Sequence, residues 1–162
     1  MRNRTLSDIL RDVNVAPQMH DTLARIVMNL GGGRLPFAFS NTSIANAALA
    51  AETVVVTTPP LNPGLDFSFI LIFFQWTGAP IGTTGNGVTM QARRGTAVAG
   101  TLVLGGSPVF TVVAGNNFTG FAMWVDTPGA VAGQQYSGTI SVNAATANSI
   151  TGTAVLVALA FG

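Results

Sequence analysis

Short apolar stretches separated by turn residues follow one another along most of the chain, and this pattern predicts β-strands. From Glu52 onward no helical periodicity interrupts them. The turns carry clusters of Gly, Pro, Asn and Thr such as PPLNPG and DTPGAVAG. The candidate strands are Glu52–Thr58, Phe67–Thr77, Gly87–Ala92, Ala97–Leu104, Val109–Val113, Phe118–Val125, Gln135–Val142 and Ile150–Phe161.

This succession of strands predicts an all-β fold, either an antiparallel sandwich or a barrel. Eight strands is the number found in a jelly roll, so we expect an eight-stranded antiparallel jelly-roll sandwich. Periodicity alone does not separate a jelly roll from an immunoglobulin-like sandwich. The chain has no cysteine, however, so the Cys–Trp–Cys pattern of immunoglobulin domains is absent.

The last candidate strand is apolar on both faces after Thr153. A strand in a two-sheet sandwich ordinarily shows one face to water, so the second apolar face needs a cover. A symmetry mate is the economical cover, because most soluble oligomers are homo-oligomers. The segment Phe67–Trp76 makes the same demand. We therefore expect a subunit interface that contains Phe73, Trp76, Val155, Val157, Leu159 and Phe161.

The first 34 residues follow a helical pattern instead. Two apolar stripes have the spacing of an amphipathic helix, and three glycines at Gly31–Gly33 end the second one. Such short helices are not stable alone, so they must dock on their own domain, on sister subunits or on a larger assembly. The stripes are Leu6, Ile9, Leu10 and Val13, and Leu23, Ile26, Val27 and Leu30.

Residues 35–51 leave two interpretations open. Phe37 and Phe39 could anchor an extended connector, whereas the alanine-rich part could form a short helix. The predicted organisation is a helical N-terminal arm (1–34), a connector (35–51) and a jelly-roll domain (52–162).

Charge is scarce and lies mostly in the arm. Charged residues make up 8% of the chain, and the basic residues are all arginines. Five arginines and three aspartates give residues 1–34 a charge of +2, which is too little for an arm that packages nucleic acid. The longest apolar run, Phe67–Trp76, is about half of the roughly 20 residues that a membrane-spanning helix needs, so we expect no membrane partner.

The candidate chemistry is sparse. The one histidine, His20, falls in the arm, away from every predicted strand, and the pattern there is typical of an exposed helix start. Glu52, Asp66 and Asp126 are too far apart in sequence for a usual calcium site. We expect no catalytic residue, no cofactor and no metal.

Arg93 and Arg94 are the one charge cluster of the predicted β domain. They follow a strand and precede a glycine, so we place them at a hairpin tip. They could bind an anionic glycan, contact a neighbouring subunit, or lie in an ordinary solvated turn.

Several segments carry a family resemblance. The closing SITGTAVLVALAFG is similar to the final strands of the tumour-necrosis-factor and complement-type globular head superfamily. Within that group, VVVTTPPL, FILIFFQWTGAP and VTMQARRGTAVAGTLV resemble trimeric jelly-roll proteins of phage and virus particles. The resemblance covers residues 52–162. It implies a homotrimer whose N-terminal arm binds the shell and whose jelly roll faces outward.

The expected function is therefore that of a structural virion protein. We expect a homotrimeric capsid decoration protein on the capsid surface, with the major capsid protein or another shell protein as partner and with no enzymatic activity. The alternatives are a receptor- or glycan-binding spike module and a secreted bacterial or spore-surface head of the same fold. The arm residues expected to bind the shell are Arg2, Arg4, Leu6, Ile9, Leu10, Arg11, Leu23, Ile26 and Leu30.

Overall fold

The computed structural model describes residues 37–48, 51–61, 69–81, 86–113, 115–129, 133–142 and 149–161. Contacts divide the chain into two units, Met1–Leu35 and Pro36–Gly162, and all described residues belong to the second. These residues form two four-stranded sheets in which every neighbouring pair of strands is antiparallel. The predicted all-β antiparallel sandwich is confirmed, whereas the predicted helical arm lies outside the described residues.

The strand order is β1-β8-β3-β6 in sheet A and β2-β7-β4-β5 in sheet B. The strands are β1 Phe37–Ala48, β2 Thr53–Thr57, β3 Phe69–Ile81, β4 Asn86–Arg94, β5 Val109–Val112, β6 Phe118–Asp126, β7 Tyr136–Val142 and β8 Ser149–Phe161.

The pairing follows a simple rule: the numbers of two paired strands add up to nine. β1 pairs with β8, β2 with β7, β3 with β6 and β4 with β5. The chain is thus one long antiparallel ribbon. It closes into two sheets where β3 also pairs with β8 and β4 also pairs with β7.

The structure decides between the two interpretations of residues 35–51 for part of that segment, and it corrects one predicted strand. Residues 37–48 form β1, the edge strand of sheet A, held by pairs such as Phe37 with Leu159. The predicted strand Ala97–Leu104 is wrong, because Leu102 makes only an isolated bridge to Arg93. Beyond it, the positive φ angles of Gly105 and Gly106 interrupt the extended backbone before β5 begins.

The core lies between the sheets and is filled by alternate side chains of each strand, as strand geometry requires. Trp76, Phe74 and Tyr136 are among the largest side chains with no exposed surface there. On β8, the face opposite the predicted interface residues enters this core, through Ile150, Ala154, Leu156, Ala158 and Ala160.

β3 and β8 approach closely where glycine faces glycine. Gly78 pairs with Gly152, whose φ is +134°. A Cβ atom on Gly152 would lie 2.1 Å from the carbonyl oxygen of Thr77, and one on Gly78 would lie 1.9 Å from that of Thr151. The two central strands of sheet A can therefore lie this close at the Gly78–Gly152 pair only because neither residue has a side chain.

Candidate functional site

The outward-facing side of sheet A, called the outer face below, changes from apolar to polar along its strands. Side chains on one face of neighbouring strands meet in rows across a sheet. The apolar rows begin at the end of the sheet where Phe69 and Phe161 stack, with ring centroids 4.8 Å apart. Two further apolar rows are Phe37–Leu159–Leu71–Val125 and Phe39–Val157–Phe73–Met123.

The rows at the other end carry hydroxyl and amide groups. One row contains Asn41, Val155, Gln75 and Phe121, and the next contains Ser43, Thr153, Thr77 and Thr119. The Thr77 and Thr119 hydroxyls are 3.2 Å apart. Among the described residues, the outer face therefore has an apolar half near Phe161 and a polar half near Thr153.

Exposure differs between the strands of this face. Phe73, Val155, Val157, Leu159 and Phe161 are buried in the single chain, although none belongs to the core between the sheets. These are five of the six residues predicted for the subunit interface. The structure brings these five together on one face of sheet A.

Trp76 is the sixth predicted interface residue, and the structure separates it from the others. Its side chain lies in the core, with its ring centroid 6.1 Å from that of Phe118. Phe73 and Trp76 are three positions apart on β3, so alternation places them on opposite faces.

Three exposed apolar side chains lie on β6, at the edge of sheet A. Met123 and Val125 belong to the apolar rows, and Phe121 belongs to the adjacent row of Asn41 and Gln75. Phe121, Met123 and Val125 alternate along this strand and point outward, and we call them the β6 ridge. Sequence reasoning assigned none of them to an interface. The available signal was the alternating pattern FAMWV, which predicts a half-buried strand but does not reveal that its outer residues continue an apolar surface.

Arg93 is bound within its own chain. Its guanidinium donates to both carboxylate oxygens of Glu52, at 2.5 and 2.6 Å, and to the carbonyl of Gly100 at 2.9 Å. Thr139 adds a further hydrogen bond to Glu52. The hydrogen bond from Arg93 is the largest influence on the pKa of Glu52 and lowers it, while partial burial acts in the opposite direction.

Arg94 points to the other side of β4 and reaches across the sandwich. Its guanidinium donates to the two oxygens of Asp126 at 2.8 and 2.6 Å, and the Tyr136 hydroxyl donates to the same carboxylate at 2.7 Å. Burial, together with this hydrogen bond, raises the pKa of Tyr136 well above its ordinary value.

All charged side chains of the described residues are therefore engaged internally, in the pairs Glu52–Arg93 and Asp126–Arg94. Asp66, His20 and the predicted shell-binding residues of the arm lie outside the described ranges. Within those ranges there is no group of three or more acidic or histidine side chains that could hold a metal ion. Nor does the described part contain a helix long and apolar enough to cross a membrane.

No protein-family model and no curated protein sequence matches this chain. Among solved structures, Eiger TNF from S. frugiperda is similar at 8% identity and a TM-score of 0.46, over 79% of this chain and 93% of that one. A Bacillus endospore appendage protein is similar at 16% identity and a TM-score of 0.39, over 82% and 95%. A chain from the structure of the infectious bursal disease virus Gx strain is similar at 9% identity and a TM-score of 0.38, over 79% of this chain and 40% of that one.

Proposed function

We propose that this protein is a structural component of a virus or phage particle, a homotrimer that decorates the capsid surface and catalyses no reaction. The observation that carries the assembly part is the outer face of sheet A. It is apolar across four strands at one end. Its members on β8 are already buried in the single chain, whereas Met123 and Val125 on β6 remain exposed, and an exposed apolar patch indicates an interaction site.

The strand order supports a jelly roll as the fold. A jelly roll is built from two Greek keys, and in a Greek key the returning strand lies beside the first. A ribbon in which β1 pairs with β8 and β4 with β5 has this arrangement once β8 also pairs with β3. The same order places β5 and β6 at one side of the sandwich and β1 and β2 at the other.

We base the proposed absence of catalysis on the charged and polar side chains of the described residues. In the described part, both arginines and both carboxylates hold each other in bidentate pairs, so neither carboxylate is free to act as a base toward a substrate. The polar groups of the outer face are threonine, serine, asparagine and glutamine. These groups can form hydrogen bonds, but they do not titrate near neutral pH.

The attachment to a shell is proposed from the sequence resemblance and from the arm. Three arms on one rigid trimer would engage several shell subunits at once, which multiplies weak contacts into firm attachment. Burying aliphatic side chains such as Leu23, Ile26 and Leu30 contributes roughly 1.5–3 kcal/mol each. Exposed arginine pairs contribute about 1 kcal/mol or less, so the apolar stripe should dominate.

Two measurements test this function. Light scattering at micromolar concentration should give about three times the chain mass of 16.6 kDa. In co-sedimentation with capsids freed of this protein, Leu23→Ser and Ile26→Ser should weaken attachment more than Arg2→Ala or Arg11→Ala. A monomer that binds no capsid would refute the proposal.

A further inference from the structure

The β6 ridge is the part of the apolar outer face that the single chain leaves in water. Phe121, Met123 and Val125 keep 40%, 51% and 52% of their surface exposed. Their row neighbours on β3 are Gln75, Phe73 and Leu71, and Phe73 is fully buried. The ridge is thus the exposed margin of a surface that is otherwise shielded.

A shallow groove of about 410 Å³ runs beside the ridge. Its walls are Phe121–Trp124 on one side and Gly105–Pro108 on the other. The Trp124 indole holds the second wall in place by donating to the carbonyl of Gly106 at 2.8 Å. One chain therefore carries an exposed apolar ridge and a recess directly beside it, and the ridge residues Phe121 and Met123 form part of one wall of that recess.

β6 is also an edge strand without the usual protection. Natural edge strands discourage pairing with other chains by carrying lysine, proline or inward-pointing charged residues. The nine residues of β6, FTGFAMWVD, contain neither lysine nor proline. The single charge, Asp126, is already bound to Arg94 and Tyr136.

The charge distribution decides which partner fits. In the part of the chain that the structure describes, both acidic groups are paired internally, so this surface offers nothing specific to a basic or acidic partner. For the same reason, a second copy meets no like-charge repulsion. The ridge and the recess of one chain can therefore meet those of a second copy without burying an unpaired charge.

We propose that a second copy of this chain covers the β6 ridge, with the ridge of one copy entering the groove of its neighbour. This inference rests on the proposed homo-oligomer and identifies the surface that holds it together. It assigns Phe121, Met123 and Val125 as the contact residues in place of the buried side chains of β3 and β8.

The test compares two aspartates on the same strand and the same face. Met123→Asp places a charge in the proposed contact, whereas Thr119→Asp places one in the polar row four positions away. Both positions are exposed in the single chain, so both variants should retain the β-sheet circular dichroism spectrum of the parent. Leu104→Asp is a second control, because Leu104 is 85% exposed and is not part of the ridge.

We expect light scattering of full-length Met123→Asp to show folded monomers, and of both controls to show the parental oligomer. If Met123→Asp does not fold, Met123→Thr decides, since threonine suits an exposed strand position. It should raise the concentration of half-dissociation at least about tenfold. An oligomeric parent with unchanged ridge variants would overturn the contact alone. A monomeric parent would overturn the homo-oligomer as well.

Discussion

Arg94 on β4 and Asp126 on β6 form a bidentate ion pair that joins the two sheets of the sandwich, with nitrogen–oxygen distances of 2.8 and 2.6 Å. Asp126 is 5% exposed, and the hydroxyl of Tyr136 on β7 completes its set of donors. A buried carboxylate is tolerated only when such partners replace its lost hydration. The pair therefore closes one end of an otherwise apolar core.

The two neighbouring arginines should differ in their contribution to stability. Arg94→Met leaves the buried Asp126 carboxylate without its ionic partner, so we expect the free energy of unfolding to fall by about 3 kcal/mol or more. Arg93→Met leaves Glu52 half-buried and still bonded to Thr139, so we expect a loss of about 1 kcal/mol. Urea denaturation of both variants measures the difference. Equal losses would show that Asp126 is not held as the structure indicates.

Stability should decline in acid partly because of Glu52. Its pKa in the folded chain lies below the ordinary value of 4.5, mainly through the hydrogen bond from Arg93. As pH falls below 4.5, the unfolded chain takes up the proton first, so the free energy of unfolding decreases. Glu52→Gln should be less stable than the parent at neutral pH and should show a shallower decline below pH 4.5. Denaturant titrations at several pH values measure both slopes, and parallel slopes would contradict the assignment.

The single tyrosine of the chain provides a direct probe of the alkaline limit. Burial, and secondarily the hydrogen bond to Asp126, raise the pKa of Tyr136 above its ordinary value of 10.0. Above pH 10 the unfolded chain therefore loses this proton while the folded chain retains it, and the free energy of unfolding falls. Tyrosinate absorbance should appear only as the protein unfolds. Tyr136→Phe should be less sensitive to pH in this range, and early titration of the folded parent would disprove the burial.

Two glycines with positive φ angles should respond differently to alanine. At Gly152 the new Cβ would strike the backbone of Thr77, so we expect Gly152→Ala to prevent stable folding. At Gly115, with a φ of +78°, a Cβ meets nothing within 4 Å. Gly115→Ala should therefore cost only about 1 kcal/mol, the strain of a left-handed residue. Thermal unfolding compares the two, and similar melting temperatures would contradict the close approach of β3 and β8 at this pair.

Local patterns explain why some features were predictable. The alternation within Ile150–Phe161 correctly predicts which residues enter the core and which form a second apolar face, because strand side chains alternate whatever the strand's neighbours are. The same rule separates Phe73 from Trp76, although the sequence interpretation grouped them. The sequence leaves the structure of residues 37–48 open because their alanine-rich end has low β propensity, and the pairing with β8 decides it.

Relations between distant residues depended on the tertiary structure. Arg94 and Asp126 are 32 positions apart, and only the packing of β4 over β6 makes them partners. The predicted strand Ala97–Leu104 has an apolar pattern, yet Gly105 and Gly106 divert the chain and leave Leu104 in water.

Alternation and turn chemistry are local properties, so the amino-acid pattern alone predicts an all-β sandwich with an apolar outer face on its last strand. The position of β6 at the edge of sheet A and the exposure of its ridge follow instead from the folded chain. Burial depends on which strands become neighbours. That choice is made by pairings across the whole chain, which local patterns do not encode.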